Sequence, residues 1–97
     1  MSEIKNCKEW LTKTGQYIRS RRLSLGAEFK NRDFFIEERS QNLFGYEDWI
    51  SSRYLASIEL GKNQMSIEKM IQIAYALEMD PVEMFGEILK IYQKSIK

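Results

Sequence analysis

The chain has 97 residues, 43% of them apolar and 30% charged, with a net charge of +1; this fits one soluble globular domain with a single modest core. A lone cysteine, Cys7, leaves no internal disulfide and fits a reducing cytoplasm, and the absence of histidine argues against a zinc site or a Ser-His or Cys-His nucleophile. No apolar run reaches the length of a membrane span and the opening MSEIKNCKEW has no signal-peptide core, so a cytoplasmic location is expected.

Charge is uneven along the chain. Residues 1–26 carry a net +4, residues 27–49 a net −3 and residues 50–97 none. The basic start, with Arg19, Arg21 and Arg22 close together, reads either as a solvated helix face or as part of a nucleic-acid footprint.

The periodicity is mostly helical. From about Cys7 to Ser24, Leu11, Ile18 and Leu25 repeat on one face, and Gly26 is a stop. Residues 27–39, AEFKNRDFFIEER, admit two readings. NRD is the turn of a small hairpin with EFK and FFI as arms, or Asn31 caps a short helix. Ser40 reads as the N-cap of a short helix from Gln41 to about Asp48, with a break at Trp49-Ile50. Ser51 caps the next helix, about Ser52 to Leu60, which Gly61 ends. Ser66 caps a fourth, Ile67 to Leu77, with Ile67, Met70, Ile71, Ala74 and Leu77 on one stripe. The last start is the clearest: DPVE places Asp80 at the N-cap, Pro81 at the first helical position and Glu83 at the capping-box acid. Five short helices result, the middle two separated by a tight turn, which is a helix-turn-helix arrangement.

At this point the sequence resembles the Cro/repressor-type (XRE family) helix-turn-helix regulators. GQYIRSRRLSLG resembles that family's first helix, and SQNLFG the start of its second. ISSRYLASIELGKN is similar to its recognition helix, and SIEKMIQIAYALEMDPVEMF to its fourth and fifth. The resemblance implies an all-α, five-helix lambda-repressor-like DNA-binding domain. The helix-turn-helix would span about 40–61, an insertion between helices 1 and 2 about 27–39, and a long C-terminal helix about 81–96 of a single domain. Gly45 and Trp49 depart from the family, standing where it uses an alanine and a turn glycine. A Trp there needs a different turn, because only glycine tolerates positive φ freely.

On the third helix, Tyr54, Leu55 and Ile58 face one side, and Ser52, Arg53, Ala56, Ser57 and Leu60 the other. The second set is short and polar with one long cation, which suits close approach to bases in a major groove. By position in the family, Ser52, Arg53 and Ser57 would read bases. Ser51 and Tyr54 would touch phosphate, and Gln41 would hold the backbone from the start of the second helix. Lys62 and Asn63 are further backbone candidates, with Arg19 and Arg21 beside them; Lys30 and Arg32 join them if residues 27–39 form a hairpin arm.

Arg22 interrupts the apolar face of the first helix and Glu59 flanks Leu55 on the core side of the third. A lone cation and a lone carboxylate on core-facing stripes are best explained as a pair, and the resemblance implies the same one. In the last helix Val82, Phe85, Leu89, Tyr92 and Ile96 form a stripe that Met84, Ile88 and Ile91 widen to about half the circumference. Such an arc exceeds what one core needs. Phe85, Ile88, Leu89, Ile91 and Tyr92 are therefore candidates for a homodimer interface, the alternative being packing on Trp10 or on FFI.

The expectation is a homodimeric, sequence-specific double-stranded DNA-binding regulator acting on an inverted repeat, with no cofactor and no metal. The competing reading is a protein-interaction module or antitoxin that uses the same scaffold and contacts a protein through residues 27–39. No paired carboxylates or Gly-rich nucleotide loop suggest an enzyme.

Overall fold

The computed structural model describes residues 7–95, with side chains from residue 9 onward. Five α-helices account for most of it: α1 (Cys7–Leu23), α2 (Arg32–Asn42), α3 (Ser52–Glu59), α4 (Ile67–Ala76) and α5 (Pro81–Ser95). A 3-10 turn, Ala27–Lys30, joins α1 to α2, and no strand occurs among the described residues.

Local chemistry sets most of the boundaries. Gly26, at φ 144, takes a conformation closed to other residues and ends the α1 segment. Asn31 caps α2 through its Oδ1, which accepts from the Phe34 amide at 3.0 Å. Ser51 and Ser66 cap α3 and α4 in the same way, accepting from Tyr54 and Lys69 at 3.0 and 3.1 Å. Asp80 Oδ2 accepts from the Glu83 amide at 3.3 Å at the start of α5.

The second helix differs from the expected one. Of the two readings of residues 27–39 the hairpin fails and the other holds: Asn31 caps a helix, which is α2 itself, so these residues contain the 3-10 turn and most of α2 and are not an insertion ahead of it. Ser40 is not an N-cap. It sits in the last turns of α2, and its hydroxyl donates to the Glu47 carbonyl at 2.7 Å. Gln41 likewise ends α2 instead of beginning a helix. The physical reason is the helical spacing of Phe35 and Arg39, which buries both against the core and carries the helix through FFIEERSQN. The extra length falls after α2, in residues 43–51.

That connection is built around Gly45 and Tyr46, both with positive φ (63 and 66). Trp49, by contrast, is a core residue, 3% exposed. Its ring meets Phe35 edge-on with centroids 6.0 Å apart and lies 4.7 Å from Phe44. Its Nε1 donates to the Ile36 carbonyl at 3.0 Å, and its own carbonyl accepts from Lys69 Nζ. The long connection is therefore pinned to α2 and α4 at its far end.

The core joins Ile18, Phe35, Leu55, Ile58, Ile73, Leu77 and Met84, each nearly sealed from solvent. Burying one such side chain stabilises by about 1.5–3 kcal/mol. On α4 the buried set is Ile73, Ala74 and Ala76, and Leu77, the residue that caps its C-terminal end, is buried with them. Of the predicted stripe, Ala74 and Leu77 are buried and Met70 is half-buried, whereas Ile67 and Ile71 are 74% and 38% exposed, because only the 73–77 end of the segment turns inward. Arg39 is a second buried cation. Its Nε donates to the Ala76 carbonyl at 2.7 Å, closing the end of α4, and its guanidinium lies 5.0 Å over the Phe29 ring.

Two glycines let α1 and α3 meet. A Cβ on Gly15 would overlap the carbonyl oxygens of Ile58 and Glu59, and one on Gly61, which sits at φ 76, would lie 2.6 Å from Thr12 Cα. The backbones of the two helices are thus in direct contact, which fixes where the outer face of α3 lies.

Candidate nucleic-acid interface

The position of α3 is locked from below by one carboxylate. Arg22 Nε and Nη2 donate to Glu59 Oε2 and Oε1 at 2.8 and 2.7 Å. The remaining Arg22 nitrogen, Nη1, donates to the carbonyls of Phe29 and Lys30 at 2.6 and 2.9 Å. Both side chains of the pair are sealed, at 2% and 0% exposure. A bidentate pair with its outer donors satisfied meets the condition under which a buried ion pair is tolerated.

A third member joins it. Arg32, the first residue of α2, donates its Nε to Glu59 Oε1 at 2.9 Å, and its side chain is one-third exposed. Two guanidiniums on one carboxylate leave a net positive charge, and the exposed end of Arg32 is where it reaches solvent. Arg32 makes no other hydrogen bond among the described residues. The hairpin arm that would have carried it outward is absent; the start of α2 holds it instead, and Lys30 stands exposed beside it.

On the outer side of α3, Ser52 and Arg53 are exposed, and Arg53 forms no ion pair among the described residues. Ser57 is half-buried and its hydroxyl is engaged twice, donating to the Tyr54 carbonyl and accepting from Asn63 Nδ2, both at 2.8 Å. Tyr54 is half-buried too, and its Oη donates to the Gln64 carbonyl at 3.1 Å. Asn63 and Gln64 thus strap the segment after α3 to the helix, with Lys62 exposed just before them. Ser51 is occupied as the cap of α3.

The remaining residues fall elsewhere. Gln41 Nε2 donates to Glu37 Oε1 at 3.2 Å, and the residue lines a groove between α2 and the start of α3. Asp33, Glu37, Glu47 and Asp48 line the same groove, whose other end is Ser52. An acidic wall thus stands beside the N-terminal end of α3. Arg19 is exposed one turn beyond Gly15, on the α3 side of α1. Arg21 is on the opposite flank, close to Tyr17. The Tyr17 hydroxyl donates to Met79 Sδ at 3.5 Å, and burial raises its phenol above the ordinary value. Arg21 lowers it in part, while Glu87 and Glu83 of α5 raise it further.

The apolar arc of α5 divides. Ile88, with Met84, belongs to the core and is unavailable to a partner. Tyr92 packs edge-on against Trp10 at 5.2 Å, and Ile91 is half-buried. Phe85 and Leu89 stay exposed at 50% and 44%. They continue onto Val82 of the same helix and Ile67 and Ile71 of α4, and Ile67, Met70, Ile71, Val82 and Phe85 line one shallow apolar groove. Ile96 lies outside the described residues.

Sequence reasoning missed Arg32 as a partner of Glu59, and it missed Arg39. The signal for both was the Asn31 cap, which sets α2 in register and puts Arg32 at its start and Arg39 one turn after Phe35. No group of acidic or sulfur side chains that would hold a metal ion occurs among the described residues, and none of their helices is long and apolar enough to cross a membrane. No family model, curated protein or solved structure matches the chain.

Proposed function

We propose that the protein is a DNA-binding regulator of the lambda-repressor-like kind, with α2 and α3 as its helix-turn-helix and α3 as the helix that enters the major groove. The observation that carries this reading is the Arg22–Glu59–Arg32 triad under α3. It fixes the helix rigidly on α1 and holds a second, partly exposed guanidinium at the start of α2. A guanidinium with its Nε already bound keeps its outer nitrogens for phosphate, and losing little freedom on contact favours binding. Arg32 thus takes the backbone-holding role first expected of Gln41. Arg53 and Ser52 are free to meet base edges, and Ser57 does so while Asn63 orients its hydroxyl.

The exposed apolar groove of α4 and α5 supports a homodimer through Phe85, Leu89, Val82, Ile67 and Ile71. Two copies of α3 would then stand about one DNA turn apart, roughly 34 Å, on an inverted repeat. The direct test is selection of bound sequences from a random duplex pool. A symmetric motif with half-sites one turn apart is the expected result; an unenriched pool at low salt rejects the reading.

The acidic wall favours a second reading. Asp33, Glu37, Glu47 and Asp48 would repel phosphate from the N-terminal end of α3 and would suit a basic protein segment. Capture of such a partner with no duplex binding at low salt would place the protein in that class.

A further inference from the structure

Leu60 closes the outer face of α3. It directly follows the last residue of the helix and still belongs to its ladder, its amide donating to the Ala56 carbonyl at 2.9 Å. Its side chain is 59% exposed. The residues on either side of it are both anchored. Glu59 is sealed and held by Arg22 and Arg32, and the backbone of Gly61 lies against Thr12 of α1. Leu60 is thus held outward as a large apolar side chain that the core does not take. It does not line the apolar groove of α4 and α5 either. A single exposed leucine is ordinary on a protein surface; the neighbours of this one set it apart. Arg53, Ser57 and Leu60 stand at i, i+4 and i+7, one line along a helix face. That line carries a cation, a hydroxyl and an apolar end.

We propose that Leu60 is a base-reading residue that selects thymine through its 5-methyl group; the proposal rests on the DNA reading above. The 8 residues of α3 span about 12 Å, no more than the width of a major groove, so both ends of the line fit inside it. Among the donors and acceptors on that groove floor, the thymine methyl is the apolar group. Contact with a leucine removes apolar surface of both partners from water and strands no polar group. The spacing follows from the helix. Leu60 lies about 10 Å along the axis from Arg53, and base pairs rise about 3.4 Å each. The thymine therefore stands about three base pairs from the guanine that Arg53 reads.

The test uses the full chain and the duplex selected from the random pool. Each thymine of a half-site is replaced in turn by deoxyuridine, which keeps the hydrogen-bonding groups of the base and removes the methyl. One replacement, about three base pairs from the position at which Arg53→Ala relaxes preference, should weaken the parent about 3–5-fold, the effect of one buried methyl. Leu60→Ala should bind the thymine duplex more weakly and should no longer distinguish thymine from deoxyuridine there. Its unfolding midpoint should stay close to that of the parent, because the side chain is largely exposed. A half-site without thymine, equal binding of thymine and deoxyuridine by the parent at every position, or a deoxyuridine penalty that survives in Leu60→Ala overturns the proposal. Each of those results still includes a selected duplex and leaves the DNA reading in place. A chain that binds no duplex at low salt overturns both.

Discussion

Glu59 accepts from two arginines at once: Arg22 through two nitrogens at 2.8 and 2.7 Å, and Arg32 through Nε at 2.9 Å. The two contacts differ in kind. Arg22 is sealed and also holds the carbonyls of Phe29 and Lys30, so its loss strands three acceptors. Arg22→Met should cost about 3–5 kcal/mol in urea unfolding, and Arg22→Met with Glu59→Leu should recover much of it. Arg32→Ala, at a partly exposed pair, should cost about 1 kcal/mol or less. An Arg22→Met protein as stable as the parent would contradict the arrangement.

Arg53 and Arg32 should separate in DNA binding. Arg53→Ala should cost about 1–3 kcal/mol at one base position and relax preference there. Arg32→Ala should weaken all sequences alike and lower the salt dependence by about one phosphate contact. Fluorescence titration over several salt concentrations, with the selected site and with single-base variants, distinguishes the two. An Arg53→Ala effect that is uniform across sequences would reassign Arg53 to the backbone.

The glycines give a contrast within one chain. Gly15→Ala places a methyl against the carbonyls of Ile58 and Glu59 and forces α1 and α3 apart. A destabilisation of about 1–3 kcal/mol or more is expected from such overpacking. Gly45→Ala meets open space and carries only the penalty of positive φ, about 1 kcal/mol. Thermal unfolding of the two variants should rank them in that order.

Phe85→Glu or Leu89→Glu should produce a monomer by sedimentation while leaving helix content and unfolding midpoint nearly unchanged, because both side chains are about half exposed. Ile88→Glu should instead unfold the domain, since Ile88 is in the core. Equal sedimentation of the parent and Phe85→Glu would remove the dimer from the proposal.

Tyr17 gives an alkaline signature. Its phenol is raised by burial, so the fold keeps the proton after the unfolded chain has released it at about pH 10. The unfolded state then binds fewer protons, and stability falls as pH rises above about 10. Below that both states are protonated and the group contributes no slope. Tyr17→Phe should flatten the fall, as read from urea midpoints between pH 8 and about 11.

Several features were legible from the residues alone. The caps at Ser51, Ser66 and Asp80, the stop at Gly26 and the all-helical class follow from local hydrogen bonding and backbone preference, which act within a few residues. The Arg22–Glu59 pair was legible for a related reason: a charge on an apolar stripe has few tolerable solutions other than an opposite charge. The second helix was not legible. Asn31 and Ser40 are both good caps, and sequence offers no means to rank them. Packing decided it, because only a helix begun at Asn31 buries Phe35 and Arg39 together and leaves Trp49 to close on Phe35 and Phe44. The same holds for α4 and α5. Periodicity marked their apolar residues, but burial by α1 and by each other chose Ile73, Met84 and Ile88 for the core and left Ile67, Ile71 and Phe85 outside. Local chemistry thus determined where helices start and stop, and contacts between residues far apart in the chain decided which face each one hides.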